Sequence, residues 1–268
     1  MRAYRIAYDG HPYHGFQRQP DVDTVEDRLI SALAALGVTD GDVPPGYAAA
    51  GRTDAGVSAL AQTVAFEAPG WLTPQALNSE LPESIQAWAT ADVPADFHAT
   101  HHAESREYTY FLHADGASER RTRAALDGLA GEHDFHNLTP DDTGTTRTLH
   151  TALDRDGSFF VLRFRAGGFP RQFVRRAVAL VAELARGERA LRALDRVLGA
   201  DPLAGPEGIG PARPDPLVMT AVSYSDITFT TDEEATQRVQ QQFRTLHRQR
   251  AAGARVAGVL GQAGDDSD

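Results

Sequence analysis

Cysteine is absent from the 268 residues, which excludes disulfides, thiolate metal sites and a cysteine nucleophile. Lysine is absent too: all 26 basic residues are arginine. No stretch approaches the roughly 18–20 consecutive apolar residues that a membrane-spanning helix needs. The opening Met1-Arg2-Ala3-Tyr4-Arg5-Ile6 lacks a charged start followed by an apolar run. The expectation is a soluble, cytoplasmic protein with no membrane partner. A hydrophobic content of 41 % is enough for a packed core and excludes disorder throughout.

The net charge is −11. A strongly acidic, lysine-free surface suits high ionic strength, where like-charge repulsion is screened, so a halophilic source is expected. Acidity of this degree argues against a nucleic-acid partner unless the arginines gather at particular places. They do so at Arg120-Arg121 with Arg123, at Arg163 with Arg165, and at Arg171 with Arg175-Arg176.

Along the chain, residues 2–8 alternate and end at Asp9-Gly10, the pattern of a strand. Asp23-Thr24 opens a helical run with Val25, Leu29, Leu33 and Leu36 on one face, closed by Gly37. Strands are expected at 47–50, 62–66 and 85–91, with a short helix from Thr73-Pro74 to about Leu81-Pro82. The second half repeats this order: a strand at 106–113, a helix over 118–131, and a hairpin of 147–154 and 158–166 turning at Asp156-Gly157. An amphipathic helix is expected over 169–186 and a shorter one near 189–199. A Pro/Gly-rich loop covers 201–216, and a last strand 217–224. The fold class expected is α+β, two similar mixed lobes of ferredoxin-like type with antiparallel sheets and a cleft between them. The division is 1–100, 101–228 and a polar tail 229–268. Within the tail Val239, Phe243 and Leu246 make a weak helical face, and the closing Ala263-Gly264-Asp265-Asp266-Ser267-Asp268 is expected to be disordered.

The densest chemical signal is Gly51-Arg52-Thr53-Asp54-Ala55-Gly56 between two strands. Glycines at its ends allow positive φ and close approach of another backbone, and the Arg and Asp form a charged pair presented by the loop. Taken alone, these six residues read equally well as a surface turn with an ordinary salt bridge.

Their company is more specific. Tyr8-Asp9-Gly10, Tyr13-His14-Gly15-Phe16-Gln17-Arg18-Gln19, Thr24-Val25-Glu26 with Leu29, and Gly51 to Val57 stand in order. Asn78, Leu81-Pro82, Ile85, Phe97-His98-Ala99, Ser105-Arg106-Glu107-Tyr108-Thr109-Tyr110 and Gly131 to Phe135 follow. Gly168-Phe169 with Phe173-Val174-Arg175, and finally Leu217 to Tyr224, complete the series. Over most of its length the chain resembles the tRNA pseudouridine synthase A family. Ser58 stands where that family usually has His, Thr100 where Arg is common, and Gly168-Phe169-Pro170-Arg171-Gln172-Phe173 is an unusual entry to the helix.

The resemblance implies the pseudouridine synthase fold and isomerisation of uridine to pseudouridine in the anticodon stem-loop, at about positions 38–40 of the tRNA. It also implies a homodimer with tRNA lying across both subunits, and no metal or organic cofactor. Rejoining uracil to ribose through C5 gains and loses no atom overall, so no redox partner is called for. A carboxylate suits such work as nucleophile or base, and the resemblance assigns that role to Asp54. Arg175 is expected to pair with Asp54 and orient it. It stands one helical turn from Arg171, so that both face one way. Tyr108 offers a ring for stacking uracil and a hydroxyl near C5; the lesser alternative is a core strand tyrosine, which Tyr110 on the same face keeps open. Leu217 is a candidate apolar floor under the base, with plain core packing as the alternative. A base in a stacked stem has to be flipped out, and Arg52 is the candidate to fill the vacated stack. Arg18, Arg120, Arg121, Arg123, Arg163, Arg165 and Arg171 are candidates for phosphate contacts.

Two other classes compete. His98, His101, His102, His133, Asp134 and His136 suggest a metal hydrolase in composition, but the first trio lacks helical i, i+4 ligand spacing. A non-catalytic RNA-binding protein of the same fold would use the same arginines and aromatics. Product formation separates it from an enzyme.

Overall fold

In the computed structural model, which describes residues 1–203 and 205–263, the two halves repeat one topology. The first runs β1 (Arg2–Tyr8), α1 (Val25–Ala35), β2 (Ala48–Ala49), β3 (Ser58–Phe66), α2 (Pro74–Asn78) and β4 (Ile85–Asp92). The second runs β5 (Ser105–His113), α3 (Glu119–Leu129), β6 (Gly131–Asp134), β7 (Thr146–Asp156), β8 (Phe159–Ala166), α4 (Phe173–Arg186), α5 (Ala193–Val197) and β9 (Leu217–Ser223). β10 (Thr230–Thr231) and α6 (Glu233–Leu260) follow.

The strand order is β10-β4-β1-β3-β9-β5-β8-β7-β6, with β2 also on β3. The order β4-β1-β3-β2 of the first half thus recurs as β9-β5-β8-β7 in the second, the βαββαβ pattern expected. The lobes are not two separate sheets, however. One sheet of ten strands runs through both, and its seam is the parallel pairing of β3 with β9, Ser58 opposite Val218 and Ala59 opposite Met219. β2 takes only the far end of the same β3 edge, at Val64 and Ala65, and so leaves the near end to β9.

Local chemistry explains most element starts. Thr24, Thr73 and Ser118 cap α1, α2 and α3, each hydroxyl accepting a backbone N–H three residues on. The 169–186 helix begins four residues later than expected. Pro170 holds Phe169 out of helical geometry, and Gln172 is left-handed at φ 58°, so α4 starts at Phe173. α5 is shorter than expected, and β3 is longer because its first residues find β9. β6, for which no strand is expected from the sequence, pairs with β7 at the outer edge.

The main core lies between the sheet and its helices: Tyr4, Ile6 and Tyr8 meet α1 through Leu29 and Leu33, while Phe160, Leu162 and Phe164 meet α4 through Val178, Leu180 and Val181. The polar stretch after Thr230 joins the first half. Thr230 and Thr231 pair with Thr90 and Ala89, and α6 packs on β4 and α2 with Val239 buried and Phe243 and Leu246 half-buried. The expected disorder of the closing residues falls, from Gly264 on, outside the described residues. Among the described residues no helix is long and apolar enough to cross a membrane.

Candidate active site

The Asp54 loop is knitted to the Asp9–Phe16 loop. Phe16 N donates to Thr53 O at 3.1 Å, Gly56 N to Tyr13 O at 3.2 Å, and Val57 N closes back on Asp54 O at 3.1 Å. The Tyr8 hydroxyl meets Thr53 Oγ1 at 2.8 Å, and Gln62 Nε2 donates to Gly51 O at 2.7 Å. Gly56 sits at φ 80° with Pro214 against it, and a Cβ at Gly10 would lie 2.1 Å from Val57 O, so both glycines are sterically required. Gly51 needs no positive φ. A Cβ there would meet Met219 Sδ and the Tyr108 hydroxyl at an ordinary contact distance of 4.0 Å, so the site does not sterically require this glycine. Ser58, the departure from the expected His, uses its hydroxyl to accept Gly10 N at 3.0 Å.

The second half supplies the partner. Arg175, in the first turn of α4, donates through Nη1 to Asp54 Oδ2 at 2.8 Å and through Nε to Ala212 O at 2.8 Å. Ala212 N returns a bond to Arg175 O, so the 208–216 loop and the helix lock the guanidinium from two sides. The pair is neither open nor sealed: the side chains are 15 % and 31 % exposed for Arg175 and Asp54. A carboxylate held this way is oriented yet reachable. The neighbouring Arg176 donates to Ile209 O and Gln172 Oε1, so neither arginine lies on a solvated helix face.

Tyr108 lies on β5 opposite Met219 and Phe164, buried, with Phe169 edge-on at 5.3 Å. Burial pushes its hydroxyl up to about 12, with Arg106 opposing and the Asp54 charge adding to the shift. It is therefore protonated at neutral pH. Leu217, at the start of β9, is buried and bonded through its N–H to Pro214 O. Arg52 is exposed beside Asp54 in the loop.

Among the other candidates, the structure brings few to this place. Arg18 is paired with Asp27 at 3.0 Å, on α1. Arg171 does not share a face with Arg175. It precedes the helix, its N–H donates to Asp141 Oδ2, and its guanidinium pairs with Asp141 at 3.2 Å. Arg123 and Arg163 pair with Glu119 and Asp154, and Arg121 lies over Gly187. Exposed pairs of this kind are worth about 0–1 kcal/mol and exchange readily for phosphate. The histidines near 100 bond within their own turn, with His98 N donating to His102 Nδ1 at 2.9 Å. Among the described residues no group of three or more His, Asp or Glu is placed to hold a metal ion.

Two contributors escaped the sequence reading. Arg106 is buried and donates to the carbonyls of Ala50, Thr100, Ala103 and Gly167, tying the start of the Asp54 loop to the loop that carries Phe169. Its signal was an arginine alternating with Tyr108 and Tyr110 on an inward strand face. Phe169 stands in the sequence only as part of a motif, and its packing on Tyr108 depends on the kink at Pro170 and Gln172.

The geometry joins an oriented carboxylate, a guanidinium and a protonated phenol at the seam of a doubled α+β sheet. Residues 125–225 match the family model described as tRNA pseudouridine synthase. The chain is 59 % identical over 263 residues to tRNA pseudouridine synthase A of Natronomonas pharaonis, covering 97 % of this chain and 98 % of that one. It is 55 % identical to the same-named protein of Haloarcula marismortui, covering 96 % of each chain. The chain belongs to the tRNA pseudouridine synthase A family. A more distant relative of that name, from Methanocella arvoryzae, is 39 % identical and covers 89 % of this chain and 90 % of that one. Family membership thus extends from the Asp54 loop in the first half to the last strand of the second.

Proposed function

We propose that this chain converts uridine to pseudouridine in the anticodon stem-loop of tRNA, with Asp54 as the nucleophile. The reaction breaks the bond from N1 to ribose C1′ and forms one from C5 to C1′. A proton leaves C5 and one is gained at N1, so the balance closes without a cofactor. The observation that carries the reading is the Asp54–Arg175 pair: one carboxylate, fixed by a guanidinium from the other half, still partly open. Fixing a reacting group in one orientation removes much of the entropic barrier to attack.

Tyr108 bounds the base site. Because burial keeps its proton on, it serves as a hydrogen-bond donor and an apolar wall rather than as a base. Leu217 adds apolar surface, Arg52 fills the space left by the flipped base, and Arg18 meets phosphate beyond the site. We read the enzyme as a cytoplasmic homodimer of halophilic type, with tRNA lying across both subunits. The acidic, lysine-free composition supports that salt preference.

Incubation with tRNA labelled with tritium at uracil C5 tests the chemistry, since rejoining through C5 releases the label to water. Asp54→Asn is expected to lower release by roughly 10³-fold or more while tRNA binding persists. Label release by Asp54→Asn at the unsubstituted rate would remove the nucleophile assignment.

A further inference from the structure

α6, the longest helix among the described residues, carries a charge opposite in sign to that of the protein. Between Ala235 and Leu260 it carries Arg238, Arg244, Arg248, Arg250, Arg255 and His247 and no acidic residue, in a chain of net charge −11. Glu233 and Glu234 occupy only the first turn, where they complement the helix dipole. At about 100° per residue, Arg244, Arg248 and Arg255 fall within roughly 40° of one another on one face. Val239, Phe243, Leu246 and Arg250 lie on the far side, and these are the residues turned to the body: Val239 is buried, Phe243 and Leu246 are half-buried, and Arg250 reaches Asp9 at 2.7 Å. Among the described residues, Arg238, Arg244, Arg248 and Arg255 have no carboxylate partner, whereas Arg18, Arg123, Arg163 and Arg171 each have one.

The place of the helix matters as much as its charge. Asp9, which receives Arg250, begins the loop whose Gly10 packs directly on Val57, just after the Asp54 loop. Gln242 donates to Glu83 at 3.2 Å, one residue from the Ser84 that holds Asp9 N and the Tyr13 hydroxyl. Residues 251–260 continue from this anchor, all of them exposed. The 28-residue helix is thereby clamped beside the site loops at Arg250 and extends past them into solvent.

We propose that the outward face of α6, through Arg244, Arg248 and Arg255, is a docking arm for the phosphate backbone of the tRNA. The assignment rests on tRNA as the substrate but not on Asp54 as the nucleophile. In an acidic enzyme a polyanion is repelled by most of the surface. A basic face beside the catalytic loop gives it a local counter-charge there, and Gln237 and Gln241 on the same face add amide donors.

The test is filter binding of an unmodified tRNA transcript to the full chain across a KCl series, with single-turnover label release at saturating enzyme. The combined variant Arg244→Gln, Arg248→Gln and Arg255→Gln is expected to flatten the plot of log K against log salt by about 0.7–0.9 for each lost contact. At the lowest salt it should bind at least tenfold more weakly, with the saturated turnover rate unchanged. The matching triple Arg→Lys variant is expected to restore the slope, since a point charge suffices for phosphate, and unchanged melting shows that the fold is intact. An unchanged slope and affinity overturns the proposal. So does loss of self-association without a change in slope, which makes the face a protein interface. Asp54→Asn is expected to keep the full slope, so the docking arm and the nucleophile assignment fail independently.

Discussion

The two halves share one strand order but differ in where their length lies. In the first half β2 has two residues, and a loop running from Ala50 to Val57 separates it from β3. In the second, the matching strands β7 and β8 have 11 and 8 residues and meet at the tight turn of Gly157-Ser158. The helices follow the same trend: α2 has 5 residues, whereas its counterpart α4 has 14. A shortened β2 has two effects. It frees the near end of β3 for β9, which joins the halves, and it leaves a loop whose polar backbone must be satisfied by neighbours. The first half thus offers a loop able to present a carboxylate. The second offers a long buried helix able to hold a guanidinium still. Neither half contains a site on its own.

The rigidity of the second half is the part of this contrast whose loss should cost most. Phe173 is fully buried in the first turn of α4, with Phe135 at 4.7 Å and Phe169 at 5.8 Å. Phe173→Ala is expected to destabilise by about 3–5 kcal/mol, read as a lowered denaturation midpoint. It should also loosen Phe169 from Tyr108. A loss under about 1 kcal/mol would mean that the helix start is not anchored in the core.

Next comes the bridge itself. Arg175→Ala is expected to lower single-turnover label release by about 10²-fold, as a misplaced reacting group does. Arg175→Lys keeps the charge but loses the second donor to Ala212 O, and should fall between the two. If both variants match the unsubstituted enzyme, the halves meet at this pair without working through it.

The smallest effect separates burial from chemistry at Tyr108. Below about pH 10 a tyrosine is neutral in both folded and unfolded chains. With the folded value raised to about 12, the unfolded state ionises first as pH rises, binds fewer protons, and is favoured. Tyr108 therefore contributes a loss of stability between about pH 10 and 12. Tyr4, raised to about 12, and Tyr8, also raised by burial, act in the same direction. Tyr108→Phe should make the alkaline limb of the stability curve shallower while leaving neutral-pH stability nearly unchanged. An identical limb would show that the Tyr108 hydroxyl is solvated in the fold.

Much of this was legible in the chain because it rests on local chemistry. Caps at Thr24, Thr73 and Ser118 and the period-2 runs of β4 and β5 need no distant partner to declare themselves. Asp54 and Arg175 were legible through the motifs around them. The misplacements have one kind of cause. β6 and the first part of β3 exist because a strand elsewhere accepts their hydrogen bonds, and neither has an apolar alternation strong enough to show it. Placing Arg171 on the face of Arg175 requires α4 to extend back through Pro170, which Pro170 and the left-handed Gln172 prevent. α6 looked weak because its apolar face is thin. Its cap at Asp232, its alanines, glutamines and arginines, and its seat on β4 together make 28 residues of helix.

By itself the amino-acid order determined the repeated βαββαβ pattern, the absence of thiol chemistry, the acidic lysine-free surface and the identity of the loop that carries Asp54. These are properties of neighbours in sequence and of composition, which no folding is needed to read. Tertiary structure alone decided that the halves fuse at β3 and β9, that Ala212 O holds the Arg175 guanidinium through Nε, and that Arg106 ties four carbonyls together behind the site. Each depends on a donor meeting an acceptor from a distant segment. Such a pairing is fixed by how the two halves pack, not by any residue's own preference.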